Sequence, residues 1–283
     1  MYKLHLWERQ RSNYTVAVVG CGGTGGFVAE GLCRLFPESV RLMLIDHDRV
    51  EERNLCRQNF YKGDVGRFKS EALARRLSEK FVRSMGYSTV PVSMMQFLPD
   101  IIIGCVDNGK ARVDIAELIT KGHGYGNFFQ GWWVDAGNGD TFGQVLIGNR
   151  PLGSMNKNSF EISEEQCYSL PLPTIQRPDL LLELPPVLGC AEAVAQDRQS
   201  PTINQSMAAL VLEVVRKIFS KDCSWMALYL DMDKGSLRPI DATPGNVATL
   251  LGVKSRELTY TEGRRNAEEM GCHAGNVSRI ERR

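Results

Sequence analysis

The sequence predicts an α/β protein with a mixed or parallel sheet flanked by helices. Three observations carry this expectation. Tyr14 to Val19 is a continuous apolar run rather than an alternating one, as in a parallel strand buried on both faces. It ends in Gly20-Cys21-Gly22-Gly23-Thr24-Gly25-Gly26, after which Phe27, Val28, Leu32, Leu35 and Phe36 recur at helical spacing until Pro37. A second apolar run, Val40 to Ile45, then completes a βαβ unit, which should be right-handed.

The remaining elements follow in order. Asn54 to Asn59 reads as a short turn or helix. Gly66 to Met85 holds an amphipathic helix, with Ala72, Leu73, Leu77, Phe81 and Val82 inward and Lys and Arg outward. Thr89 to Val92 is a short strand candidate and Ile101 to Val106 a stronger one. Asp107-Asn108 leads into a helix through Val113, Ile115, Leu118 and Ile119. Trp132 to Asp135 and Phe142 to Ile147 read as strands, joined as a hairpin through Gly137-Asn138-Gly139-Asp140. Residues 148–189 are proline-rich and aperiodic, as in a crossover or lid. Helices are expected at Ala191 to Gln199 and Ile203 to Phe219, and a hairpin at Ala227 to Leu230 and Leu237 to Ile240. The polar stretch after Asp241 suggests no fold.

Composition narrows the function. A chain of 283 residues, 43% hydrophobic and 24% charged, can bury a sizeable core without staples. Its net charge of +1 gives no bulk attraction to nucleic acid or an anionic membrane, so neither is expected as a partner. No apolar run is long enough to span a bilayer, and Met1 to Asn13 lacks the apolar core of a signal peptide; a cytoplasmic location is expected. The eight cysteines contain no Cys-x-x-Cys pair, which argues against a tetrathiolate zinc site.

Gly20-x-Gly22-x-x-Gly25, between a strand and a helix, is a nucleotide-binding pattern that includes Gly23 in its turn. Glycines let backbone N–H groups approach phosphate, and the helix N-terminus adds positive potential. Asp46, with Asp48 beside it, ends the second strand, where a carboxylate can accept from ribose hydroxyls. The pattern fits NAD and ATP equally. Asn54, Arg57, Gln58 and Lys69 follow, and the cations Arg57 and Lys69 suit a triphosphate. Asp107, at the end of another strand, can hold Mg²⁺. Each has a plainer alternative: Lys69 on a solvated basic face, Arg57 paired with Glu51 or Glu52, Asp107 as a helix N-cap. Arg112 could face the site or solvent.

Several motifs together resemble the ThiF/MoeB/HesA family, adenylyltransferases that activate ubiquitin-like proteins. They are Gly20 to Gly26, Asp46-His-Asp-Arg-Val-Glu51, Asn54-Leu-Cys-Arg-Gln58, Asp64-Val-Gly-Arg-Phe-Lys69 and Cys105-Val-Asp-Asn108 followed by Arg112. They stand in family order over roughly residues 15–150. Ser169-Leu-Pro-Leu-Pro-Thr174, Cys190-Ala-Glu-Ala193 and Gln199 to Asn204 are similar to the branch found in PRTRC-type operons. The resemblance implies a Rossmann-like adenylation domain over residues 1–241, with 148–189 as crossover within it and 242–283 as a polar tail. It implies ATP and Mg²⁺ as cofactors. It implies as partner a small ubiquitin-like or sulfur-carrier protein with a C-terminal glycine, and a homodimer. Asp46 would hold the ribose. Asn54, Arg57 and Lys69 would contact phosphates, Asp107 would bind the metal ion, and Asn108 and Arg112 would lie nearby. The sequence departs from the family in lacking its zinc-binding cysteine pairs, in a short N-terminus where Arg9 or Arg11 stands for a partner-reaching arginine, and in Arg53.

Many relatives pass the acyl group to a crossover cysteine. Cys190, after Gly189 and before an expected helix, should have a lowered pKa. Cys167, beside Glu164 and Glu165, should have a raised one. Cys190 is the preferred acceptor. The competing readings are an NAD(P)-dependent Rossmann oxidoreductase and a non-catalytic nucleotide-binding scaffold.

Overall fold

The structure is a computed structural model and describes residues 2–6, 13–124, 131–151, 160–161, 165–182 and 201–260. The strands are β1 (Lys3–Leu4), β2 (Thr15–Val19), β3 (Arg41–Ile45), β4 (Met85–Ser88), β5 (Ile101–Gly104), β6 (Trp132–Asn138), β7 (Phe142–Gly148), β8 (Phe160–Glu161), β9 (Gln166–Cys167), β10 (Trp225–Asp231), β11 (Ser236–Asp241) and β12 (Thr259–Tyr260). The helices are α1 (Gly23–Leu35), α2 (Lys69–Phe81), α3 (Gly109–Gly124), α4 (Pro173–Gln176), α5 (Pro201–Phe219) and α6 (Pro244–Leu251). Eight strands form one sheet in the order β11-β10-β7-β6-β5-β2-β3-β4. It is parallel from β4 to β6 and antiparallel from β6 to β11. This is the mixed, Rossmann-like sheet that the sequence predicts. A small second sheet has the order β1-β9-β8-β12.

The apolar runs are continuous because the sheet is covered on both faces. Val16, Val18, Leu42, Leu44, Ile101 and Ile103 point to one face and join Val28 and Leu32 of α1 and Met207, Val211 and Val215 of α5. Ala17, Val19, Ile45 and Ile102 point to the other and meet Ile115 and Ile119 of α3 and Trp133. Successive residues of one strand thus feed two cores. Burying each large aliphatic side chain contributes about 1.5–3 kcal/mol. Among the described residues no helix is long and apolar enough to cross a membrane.

Some elements differ from expectation. The strand expected at Thr89 to Val92 lies earlier, at Met85–Ser88. Pro91 lacks the N–H that a ladder needs, and Val92 opens a 3₁₀ turn that plugs the α3 face. Val82, expected inward, is 83% exposed and left-handed, with φ +50°, as the C-cap of α2. The reversal there brings Arg83 inward. Its guanidinium donates to the carbonyls of Phe36 at 2.8 Å, Pro37 at 3.3 Å and Val40 at 2.6 Å, holding the connection from α1 to β3. On α3, Ile115 and Ile119 are buried, but Val113 is exposed and Leu118 half-buried.

The stretch after Asp241 begins with an ordered helix, α6. Thr243 caps it by accepting from the Asn246 N–H at 3.1 Å, Pro244 opens it, and left-handed Gly252 closes it. Ala242, Val247, Ala248 and Leu258 join the larger core. The helix expected at Ala191 to Gln199 lies outside the described residues.

Val82 carries a β-branched side chain in a conformation that disfavours one. Val82→Gly should therefore raise stability in urea denaturation by about 0.5–1 kcal/mol, with an unchanged m-value.

Candidate nucleotide-binding site

The glycine turn sits at the C-terminal ends of β2, β3 and β5, where open α/β sheets place ligands. Gly20 has φ +87° and donates its N–H to the Ile45 carbonyl at 2.9 Å. A Cβ on Gly20 would stand 2.5 Å from the Cys105 carbonyl oxygen, and one on Gly25 only 1.9 Å from the Gly20 oxygen. These two glycines serve close packing of the turn itself. Gly22 is the N-cap of α1; it supplies no side-chain cap, and the first turn holds no acidic residue. The positive end of a 13-residue helix is thus left for another acceptor.

Asp46 fastens the turn from below. Its Oδ2 accepts from the Cys21 N–H at 2.6 Å and its Oδ1 from the Asp48 N–H at 2.8 Å. The group is buried, and burial raises its pKa. Burial likewise pushes the Cys21 thiol well up. Asp48 is the open acid of the pair. Its exposed carboxylate takes the Lys69 ammonium at 3.0 Å, and its carbonyl accepts the Lys69 N–H at 2.8 Å. Lys69, for which a solvated basic face was the plainer alternative, is buried where α2 begins. Donor atoms of Asp46, His47 and Asp48 lie within 4.8 Å of one another. Both carboxylates already have N–H donors, which leaves this cluster ill suited to a metal ion.

The loop before α2 is shaped by Asn54. Its Oδ1 accepts from the Glu51 N–H at 3.0 Å, and its carbonyl accepts the Gln58 N–H at 2.9 Å and the Arg57 N–H at 3.3 Å. Arg57 and Gln58 are half-buried beyond it. The Gln58 side-chain amide lies against Gly22, 3.7 Å from where a Cβ would stand. Its Oε1 is buried without a hydrogen-bond partner among the described residues. Arg53 pairs with Glu51, at 2.6 Å.

On the third strand end, Asn108 takes the capping role. Its Oδ1 accepts from the Ala111 N–H at 2.8 Å, and its Nδ2 donates to Asp107 Oδ1 at 3.2 Å. The plainer alternative for Asp107, a helix N-cap, is therefore filled by its neighbour. The Asp107 carboxylate stays exposed. Arg112 faces neither the open site nor solvent. It turns into the sheet, donating from Nε to Asp135 Oδ2 at 3.0 Å and from Nη2 to the Val106 carbonyl at 2.8 Å. Asp135 is wholly buried; burial raises its pKa and the Arg112 charge opposes that rise.

The sequence matches the ThiF family over residues 8–249. The chain belongs to the ThiF family. This ThiF-family chain is 31% identical over 137 residues to ubiquitin-like modifier-activating enzyme 5 of Arabidopsis thaliana, a match covering 41% of the chain and 31% of that protein. It is 35% identical over 127 residues to the enzyme of the same name from Drosophila willistoni, covering 38% of the chain and 30% of that protein. The matched segment spans about a third of the length of these curated relatives. Among solved structures, E. coli MccB with succinimide superposes with a TM-score of 0.56 at 19% identity, covering 82% of this chain and 64% of that one. PaaA superposes with a TM-score of 0.53 at 18% identity, with the same coverages. These two share its fold.

The structure thus brings Gly20, Gly22, Gly23, Gly25, Asp46, Asp48, Asn54, Arg57, Gln58 and Lys69 together around two strand ends and one loop. Asp107 and Asn108 stand at the neighbouring strand end. Cys190, Arg9 and Arg11 lie outside the described residues. Cys167 is not in a polar loop but buried in β9, its Sγ 3.5 Å from the Ser169 carbonyl, and burial raises its pKa. Sequence reasoning missed Asp135, and it missed a polar network of Thr24, Asn138 and Asn204 behind the turn. Asn204, at the start of a largely apolar helix and at the end of the Gln199 to Asn204 stretch, was a visible signal.

Removing Arg112 would strand the buried Asp135 charge. Arg112→Ala should lower stability by roughly 3–5 kcal/mol in urea denaturation, and the Arg112→Ala/Asp135→Ala double variant should recover part of it.

Proposed function

We propose that this chain uses ATP to adenylate the C-terminal carboxylate of a small ubiquitin-like or sulfur-carrier protein that ends in glycine. The observation that carries the reading is the uncapped N-terminus of α1, flanked by Lys69 on Asp48 at one strand end and by the open Asp107 carboxylate at another.

The chemistry is an in-line substitution at the α-phosphorus. A carboxylate oxygen of the carrier forms a bond to that phosphorus while the bond to the β-phosphate bridge breaks. Pyrophosphate leaves with the electron pair. The carboxylate reacts in its ionised form, so no general base is needed. The demand on the protein is to place charge opposite the phosphates before reaction. The backbone at Gly22 and Gly23 meets the phosphate chain at the helix N-terminus. Lys69 is held in position by Asp48, and Arg57 is set by the Asn54 turn; both neutralise the departing pyrophosphate. Gln58 lies beside Gly22 and offers its amide to the same groups.

Asp46 has both oxygens on backbone amides, so its part is to hold the turn, and Asp48 is the better placed acceptor for ribose hydroxyls. Asn108 and Arg112 act from behind, by capping α3 and by fixing the Val106 carbonyl. An exposed carboxylate that its helix does not use is a hard oxygen donor of the kind Mg²⁺ takes, so Asp107 fits that ion. When bound, Mg²⁺ supplies charge neutralisation across phosphate oxygens. Transfer of the acyl group to Cys190 is the proposed second step: the thiolate attacks the acyl carbon and AMP leaves.

Asp107→Ala should cut carrier-dependent ATP–pyrophosphate exchange by about 100-fold or more while leaving the circular dichroism spectrum unchanged. Retained exchange would remove the metal role from Asp107. Cys190→Ala should keep the exchange and lose any thiol-reducible conjugate with the carrier. A reducible conjugate persisting in that variant would exclude Cys190 as the acceptor.

A further inference from the structure

Behind the glycine turn three polar side chains meet from three elements. Thr24 is in the first turn of α1, Asn138 ends β6, and Asn204 is in the first turn of α5. Thr24 Oγ1 lies 3.2 Å from Asn138 Oδ1 and 3.3 Å from Asn204 Oδ1. Asn138 Nδ2 donates to the Gly139 carbonyl at 3.1 Å, which fixes the orientation of its amide. The same nitrogen then donates to Asn204 Oδ1 at 3.4 Å, which fixes the orientation of Asn204 in turn. What remains is Asn204 Nδ2. Asn204 is only 2% exposed, and its Nδ2 has no hydrogen-bond partner among the described residues. It points at the glycine turn, 2.5 Å from where a Cβ on Gly23 would stand.

A buried amide donor left without an acceptor is costly, so such a group is retained for a reason. Here it faces the uncapped N-terminus of a helix, already a site for negative charge. We propose that Asn204 Nδ2 donates a hydrogen bond to an anionic oxygen of the reacting adenylate, held over the start of α1. Two groups carry such an oxygen at that point: the α-phosphate and the incoming carboxylate. Asn204 makes this contact with its Oδ1 locked by Asn138, so the donor needs no reorganisation when the ligand arrives. Its position at the start of α5 sets the donor by the packing of α5 on α1. The inference rests on the adenylation reading but gives a role to Asn204, to which the sequence motifs assign none.

The test is calorimetric titration of the wild type, Asn204→Asp and Asn204→Leu with adenosine, AMP, Mg-ATP and 5′-O-(N-glycylsulfamoyl)adenosine, a stable mimic of a glycyl adenylate. Asn204→Asp keeps the acceptor for Asn138 and removes the donor; Asn204→Leu removes both polar atoms at similar volume. Both variants should lose about tenfold or more in affinity for AMP and Mg-ATP, for the glycylsulfamoyl compound, or for all three, and keep their affinity for adenosine. Loss for AMP and ATP would assign the contact to the α-phosphate. Loss confined to the glycylsulfamoyl compound would assign it to the acyl oxygen, the one that the incoming carboxylate supplies. In wild-type protein the Asn204 side-chain amide resonances should shift with one of these ligands and not with adenosine, a measurement that needs no variant. Unchanged affinities, an equal loss that includes adenosine, or amide resonances that ignore every ligand would overturn the proposal. Wild type that binds ATP while these results fail would sink the role of Asn204 alone; wild type that binds no adenine nucleotide would sink the adenylation reading with it.

Discussion

Asp46 accepting the Cys21 and Asp48 amides is the interaction on which the rest of the site depends. It joins the glycine turn to the end of β3 and fixes where Asp48, and therefore Lys69, can stand. The turn closes over it because Gly20 and Gly25 approach so nearly that neither could carry a Cβ. From that knot α1 departs with its N-terminus open, α2 begins with a buried lysine, and β5 brings Asp107 alongside. The cost of burying a carboxylate is offset by two backbone donors and by the nearby ammonium, as buried charge requires.

Much of the fold was legible because its signals are local. An uninterrupted apolar run means a strand covered twice, and glycine followed by helical spacing marks the turn into α1. The motifs Asp46 to Glu51 and Asn54 to Gln58 are also local, and the structure sets them beside the glycine turn. What the sequence hid is what depends on distant partners. Val82 looks like part of an apolar stripe, but Arg83 is needed at the carbonyls of Phe36, Pro37 and Val40, so the chain reverses and Val82 is turned out. The helix from Pro244 carried its caps in plain view, Thr243 before and Gly252 after; its polar surroundings obscured them.

The site divides along the same line. Asp107 and Asn108 are adjacent acids and amides at a strand end, and only the geometry shows which one caps α3 and which stays open. Arg112 reads as a spare cation until Asp135, on a neighbouring strand, is seen buried beneath it. Asn204 is more than a hundred residues from the glycine turn it faces, and no spacing rule could join them. The motifs thus gave the residues around the glycine turn, while those behind it, brought there by tertiary packing, appear only in three dimensions.

The central claim is that this glycine turn serves a triphosphate rather than a dinucleotide. Titration calorimetry of the full chain with ATP and with NADH, each with and without Mg²⁺, tests it most directly. The account predicts saturable ATP binding, strengthened by Mg²⁺, and no measurable NADH binding. Tight NADH binding with none for ATP would contradict it.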